Sequence, residues 1–276
     1  MVTGAGTPPW LPNGETDGPP GAAVLARALD VGLGVKPVLV AEERCLPAVV
    51  AAAEGVGLAV LPSDLFAVRG GCATAERMAV GTTAGPAAAR ELFARHRPNA
   101  VIFVEKGAPN AKGVFHTITG TGRSREIMAS ADELATEATA QGVLTIGIGD
   151  GGNEIGFGMI CDAVADIQPA GRVCRCGCGI AAATSTNILL VAAISNWGAY
   201  GLAAALACLL GRRAVLHDAE AERRMLERTV AAGAADGVLA RLVPAVDGTS
   251  AAAQQAIVTL LGNLVENALQ PLERPF

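Results

Sequence analysis

Apolar positions along the chain fall into short runs separated by loops rich in Gly, Pro, Asp and Asn. The runs Ala100-Val101-Ile102-Phe103-Val104 and Val143-Leu144-Thr145-Ile146-Gly147-Ile148-Gly149 carry no charge and many β-branched residues. Such runs read as strands buried on both faces of a parallel sheet. Residues 36–40 and 58–61 read as shorter strands around a helix at 46–54, and residues 22–31 and 87–97 read as helices, the latter stopped by Pro98. From 180 to 210 no charged residue occurs, a length that raises the question of a membrane span. Ser195-Asn196-Trp197-Gly198-Ala199-Tyr200-Gly201 interrupts it, so the reading is a strand at 188–194, a polar turn, and a helix at 202–210 capped by Gly211. Beyond Gly211 the pattern turns helical. Residues 219–232 are charged and amphipathic, and Ile257, Leu260, Leu261, Leu264, Val265, Ala268 and Leu269 recur at helical spacing.

Strands alternating with helices predict an α/β fold: a largely parallel sheet flanked by helices in Rossmann-like layers, with a helical C-terminal segment. No linker or repeat divides the chain, so residues 1–276 are expected to form one domain. The tail stripe is expected to cover the sheet or an oligomer contact. Composition adds that most helices must pack, since 51% of residues are hydrophobic and 17% charged. The net charge of −5 has no basic block behind it, which argues against nucleic acid and leaves small molecules and further copies of the chain as partners. Met1-Val2-Thr3-Gly4 lacks the basic start and apolar core of a secretory signal. With seven cysteines, an odd number, the expectation is free thiols in a cytoplasmic protein. Cys174, Cys176 and Cys178 would share one face of a strand. Cys-x-Cys is not a usual zinc spacing and no fourth ligand is evident, so incidental thiols are the first reading and a metal or redox module the second.

Candidate chemistry concentrates in four loops at the carboxyl ends of the predicted strands, where open α/β sheets bind ligands. Asp150-Gly151-Gly152-Asn153-Glu154-Ile155-Gly156 offers carboxylates and a carboxamide among glycines that let the backbone approach a ligand. Gly147, Gly149 and Gly152 also fit G-x-G-x-x-G, but Asp150 and Glu154 would set negative charge beside a pyrophosphate. Helix capping by Asp150 or Asn153 is the plain structural alternative. The other loops are Glu15-Thr16-Asp17-Gly18-Pro19-Pro20-Gly21, Glu105-Lys106-Gly107-Ala108-Pro109-Asn110-Ala111-Lys112-Gly113, and Ser195-Asn196-Trp197-Gly198. Capping accounts for Asp17 well and for Glu15 poorly.

At these loops the sequence resembles the D-glutamate cyclase family. The matching stretches are Thr3-Gly4, Glu15 to Gly21, Glu105 with its loop, Gly147 to Gly158, Ser195 to Gly201, and Val246-Asp247-Gly248. The resemblance implies an α/β enzyme that closes D-glutamate to 5-oxo-D-proline with loss of water, a manganese-like divalent metal, and oligomers. The chain departs from the family pattern in four places. The apolar strand that runs into Thr-Gly is reduced to Met1-Val2; either the sheet has lost an edge or central strand or the start lies further upstream, where an in-frame apolar run is expected. Glu105-Lys106-Gly107-Ala108-Pro109-Asn110 replaces Glu-x-Pro-Gly-Arg, Asn187 lies where an Asp is common, and the cysteine cluster has no family counterpart.

From oxygen chemistry and loop position, Glu15, Asp17, Asp150, Asn153 and Glu154 are the candidate ligands of Mn²⁺ or Mg²⁺. Glu105 is the candidate base, with Lys106 and Lys112 toward the substrate's second carboxylate. Thr16, Asn110, Ser195, Asn196 and Trp197 are the candidate substrate-binding residues. The competing enzyme reading is a Mn- or Mg-dependent hydrolase, a phosphatase of a small phosphorylated metabolite.

Overall fold

A computed structural model of the chain describes residues 1–270. In chain order its elements are α1 (Pro19–Leu33), β1 (Val38–Glu42), α2 (Leu46–Gly55), β2 (Ala59–Val60), α3 (Ser63–Val68), β3 (Cys72–Met78), α4 (Gly85–His96) and β4 (Ala100–Val104). A small hairpin of β5 (Phe115–His116) and β6 (Gly122–Arg123) follows, then α5 (Ala131–Ala140), β7 (Leu144–Gly149), α6 (Cys161–Ile167), β8 (Ile188–Val191) and α7 (Ser195–Leu209). The C-terminal segment is α8 (Ala219–Ala231), the short pair β9 (Ala245–Val246) and β10 (Thr249–Ser250), and α9 (Ala251–Leu269).

Three strands pair in parallel as β2-β3-β1 and three as β4-β7-β8. The start of the chain joins them. Val2 bridges Val40 on one side and Phe103 on the other, both parallel. Its N–H donates to Ile102 O at 2.8 Å and its carbonyl accepts from Val104 N at 3.0 Å, while Thr3 N reaches Val40 O at 3.0 Å. Met1–Thr3 thus run through the centre of the sheet as a short stub strand. Burial there lowers the Met1 amine to about 5.

The alternation of side chains along each strand fills two layers. Leu39 and Ala41 face α1, α2 and α7, with α8 and α9 packed outside. Val40, Val101 and Phe103 face the opposite layer, which α4 and α5 cover with Leu92, Phe93, Leu134 and Ala138. Tight packing needs small residues: a Cβ on Gly21 of α1 would stand 2.9 Å from Asn196 Cα of α7.

Three local expectations change. The polar stretch from Ser195 is the first turns of α7 rather than a turn before it. Residues 174–178 form no strand: Gly177 and Gly179 take positive φ and bend the chain into a loop. The uncharged run 180–210 is divided between β8 and α7, and no helix among the described residues is long and apolar enough to cross a membrane.

Candidate functional site

Four loops emerge at the carboxyl edge of the sheet: those after the stub strand, β4, β7 and β8. Backbone hydrogen bonds lace them together. Glu105 N donates to Ile148 O, Ile155 N to Lys106 O and Ala108 N to Asn153 O, so the glutamate loop and the acidic loop form one sheet-like unit. Gly147 makes this fold-back possible, because a Cβ there would lie 2.3 Å from Ile155 O. The loop after β7 thus returns over its own strand, and the next helix, α6, begins only at Cys161. No helix N-terminus follows Gly152 directly, so the G-x-G-x-x-G spacing does not build a dinucleotide site.

Asp17 and Asn196 cap each other's helices across 178 and 179 residues of sequence. Asp17 Oδ2 accepts from Ser195 N and its Oδ1 from Asn196 N, each at 2.8 Å. Asn196 Oδ1 accepts from Gly18 N at 2.9 Å and Gly21 N at 2.7 Å, while its Nδ2 donates to Thr16 O. The N-termini of α1 and α7 are thereby fixed side by side at the site. The carboxylate that α7 receives is the chain's own Asp17.

The carboxylates converge above this junction. Oxygens of Asp17, Glu105 and Asp150 lie within 4.8 Å of one another. Glu154 accepts from Gly152 N at 2.8 Å and lies beside Glu105. Ser195 Oγ donates to Glu105 Oε2 at 2.5 Å. Asp247, on the β9–β10 turn, lies close to both Asp150 and Asp17. Its backbone takes a φ of 48°, and Asp236 holds the turn by accepting from Gly248 N at 2.8 Å. Glu15 borders Asp247 and Arg123.

Burial and mutual repulsion raise the whole group. Glu15 is pushed to about 8, by burial and then by Asp247. Asp150 is pushed to about 9, by burial and then by Asp17 and Glu154. Asp17 and Glu105 lie well above the carboxylate range, Glu105 through burial and then Glu154. Glu154 is raised by burial against the pull of its backbone donors. A set of oxygen donors that repel one another in a small volume fits a hard divalent cation, which would supply the missing positive charge.

Sequence reasoning missed two parts of this site. Asp247 stood in a stretch that carries the family resemblance but was not among the candidate ligands. Arg123, on a two-residue strand without any apolar period, gave no signal at all. The charge of Arg123 acts on Glu15 and Glu105, and its Nε is buried without a hydrogen-bond partner among the described residues.

Other candidates are placed elsewhere. Lys106 is 1% exposed and donates to Glu42 Oε2 at 2.5 Å and Gly4 O at 2.8 Å, so its ammonium is enclosed in an ion pair. Lys112 is exposed and donates to Cys176 O. Asn110 donates to Gly179 O and Cys176 Sγ. Asn153 donates to His116 O, anchoring the acidic loop to β5. Thr16 Oγ1 donates to Ala245 O, and Trp197 Nε1 donates to Gln254 Oε1 of α9. Of the substrate-binding candidates, only Ser195 turns its side chain onto a catalytic candidate, Glu105.

Fold and site together define an α/β protein with a buried carboxylate centre at the carboxyl edge of a parallel sheet. Residues 1–262 match the family described as D-glutamate cyclase-like, C-terminal, and the chain belongs to that family. It is 26% identical over 198 residues to the human protein named D-glutamate cyclase, mitochondrial. That alignment covers 71% of this chain and 30% of the human protein, so the chain spans less than a third of that relative.

Proposed function

We propose that this protein catalyses the intramolecular cyclisation of D-glutamate to 5-oxo-D-proline with loss of water, using a divalent metal, Mn²⁺ or Mg²⁺. The observation that carries the reading is the convergence of Asp17, Glu105 and Asp150 within 4.8 Å, opposite an arginine, in a chain of this family.

The reaction joins an ammonium to a carboxylate. Two protons leave the nitrogen, one C–N bond forms, and one carboxylate oxygen departs as water carrying those protons. When bound, a divalent cation would supply Lewis-acid chemistry, offsetting the charge of the reacting carboxylate. Asp17, Asp150, Glu154, Asp247 and Glu15 are the residues proposed to hold it.

Glu105 is proposed to move the protons. It accepts from Ser195 Oγ and lies beside Glu154, and burial holds its carboxyl well above the usual carboxylate range. A carboxyl of that kind can accept from the amine when a cation neighbours it and return the proton to the departing oxygen. Ser195 fixes its orientation. Arg123 is proposed to receive the substrate's other carboxylate, in place of Lys106 and Lys112, whose ammonium groups are spent on Glu42 and Cys176 O.

The test is product analysis: the Mn²⁺-loaded protein is incubated with D- and with L-glutamate, and 5-oxoproline is sought by mass. Conversion of the D enantiomer is expected. Phosphate release from simple phosphomonoesters without 5-oxoproline from either enantiomer would instead establish the hydrolase.

A further inference from the structure

A second group of metal-ligating side chains, distinct from the carboxylates, joins β5 to the loop at 174–179. Cys174 Sγ and Cys176 Sγ are 2.9 Å apart, and Cys176 Sγ is 3.6 Å from His116 Nε2. One ligand atom from each of His116, Cys174 and Cys176 falls within 4.8 Å of the others. His116 comes from 60 residues away in sequence, which is why the cysteine spacing by itself pointed to no ligand set.

We infer that His116, Cys174 and Cys176 form a site for one soft d¹⁰ metal ion, Zn²⁺ or Cu⁺, separate from the carboxylate centre.

Three features of the surroundings support a built site. The imidazole is preset: His116 Nδ1 lies 3.1 Å from Val114 O, a carbonyl that can only accept, so Nδ1 carries the proton and Nε2 turns a lone pair toward the sulfurs. The sulfurs are surrounded by donors, as coordinating thiolates require. Cys174 Sγ accepts from Gly179 N at 3.1 Å, and Cys176 Sγ accepts from Asn110 Nδ2 at 3.3 Å. Finally, a cavity of about 530 Å³ opens beside His116 and Cys176, bounded by Gly120 and Thr121, with room for water or another small fourth ligand. Two thiolates and one imidazole with an open position suit Zn²⁺ or Cu⁺ and suit Mn²⁺ or Mg²⁺ poorly. The metal would clip residues 174–179 to the hairpin that carries Arg123, through the loop that Asn110 already ties to Gly179 O.

The test uses the full chain, kept reduced with a phosphine, stripped with a chelator and titrated with Co²⁺ as a spectroscopic probe. One equivalent of Co²⁺ should bind with a thiolate-to-cobalt charge-transfer band. Displacement of that Co²⁺ by Zn²⁺ marks a zinc site, and resistance to Zn²⁺ with displacement by Cu⁺ marks a cuprous one. The band should vanish in Cys174→Ser and Cys176→Ser and persist in Cys178→Ser and Asp150→Asn. In Asn110→Ala, which removes a donor to the Cys176 sulfur, affinity should fall by roughly 10–100-fold. Absence of the band and of stoichiometric Cu⁺ binding in the reduced wild-type chain would overturn the inference, whatever the variants do. A band unchanged in the Cys174→Ser/Cys176→Ser double variant would overturn it too.

Discussion

Two groups of buried charge lie at the same edge of the sheet, and they are built in opposite ways. In the first, Lys106 Nζ donates to Glu42 Oε2 and Gly4 O, while the other Glu42 oxygen accepts from Ala129 N at 3.2 Å. Every charge there has its counter-charge, and neither residue reaches solvent. In the second, Asp17, Glu105, Asp150, Glu154 and Asp247 crowd together with Arg123 near them, and burial drives each of them toward protonation. A closed pair fastens the β1 end to the glutamate loop. The second group is left unbalanced, and the proposed divalent cation would supply the missing positive charge.

Substitutions should separate the two sharply. Asp150→Asn and Glu154→Gln are expected to abolish Mn²⁺ binding and, with it, cyclisation. Neither should destabilise the metal-free protein, because each removes a carboxylate that repels its neighbours. Thermal melts beside calorimetry check both halves. A lower metal-free Tm would mean that these carboxylates are structural.

Glu105→Gln should leave Mn²⁺ binding in place and reduce 5-oxoproline formation by roughly 10²–10⁴-fold, the usual loss when a general base is removed. An equal loss of metal affinity would make Glu105 a ligand rather than the proton carrier. Lys106→Met should do the reverse of the carboxylate variants. It leaves Glu42 buried and unpaired, at a cost of about 3–5 kcal/mol by denaturant unfolding, with little effect on the kcat of the folded fraction. A large kcat loss without destabilisation would return Lys106 to the catalytic group.

The pH dependence has opposite signs with and without metal. In the folded metal-free chain Glu15 titrates at about 8 and Asp150 at about 9, against roughly 4 when unfolded. Groups raised in this way contribute stability that is fully present below the unfolded value. That stability is lost as pH rises through the folded one. The metal-free Tm should therefore fall between about pH 5 and pH 9, while the stabilisation by Mn²⁺ grows over the same range as fewer protons need displacing. The smallest effects concern substrate contacts. Arg123→Ala should raise KM for D-glutamate more than it lowers kcat, and exposed Lys112→Ala should change either constant little. Steady-state kinetics on both variants rank the two cations directly.

The strands were legible wherever apolar runs were unbroken. Residues 100–104 and Leu144–Gly149 stand within a residue of their expected places. β3 was not legible, since Glu76 and Arg77 interrupt it; Glu76 meets Arg95 and His96 of α4, and Arg77 meets Glu43. The start of α7 was hidden for a different reason. Ser195-Asn196-Trp197-Gly198 has the composition of a turn, and the acceptor that makes it a helix terminus is Asp17, 178 residues earlier. At the site, the carboxylates of three loops announced themselves by composition. Arg123 and His116 did not, because they enter from a hairpin of two-residue strands whose position is set by tertiary contacts such as Asn153 to His116 O. Asp247 was visible as a residue and invisible as a direction: its turn is held by Asp236, which accepts from Gly248 N.

The claim that the carboxylate group is a cation site is tested most directly by counting protons when Mn²⁺ binds. Calorimetric titration near neutral pH, repeated in buffers of different ionisation enthalpy, gives both affinity and proton release. The account predicts saturable binding with net release of protons from carboxyls held protonated in the metal-free site, and loss of both in Asp150→Asn. Binding without proton release, or an unchanged titration in Asp150→Asn, would contradict it.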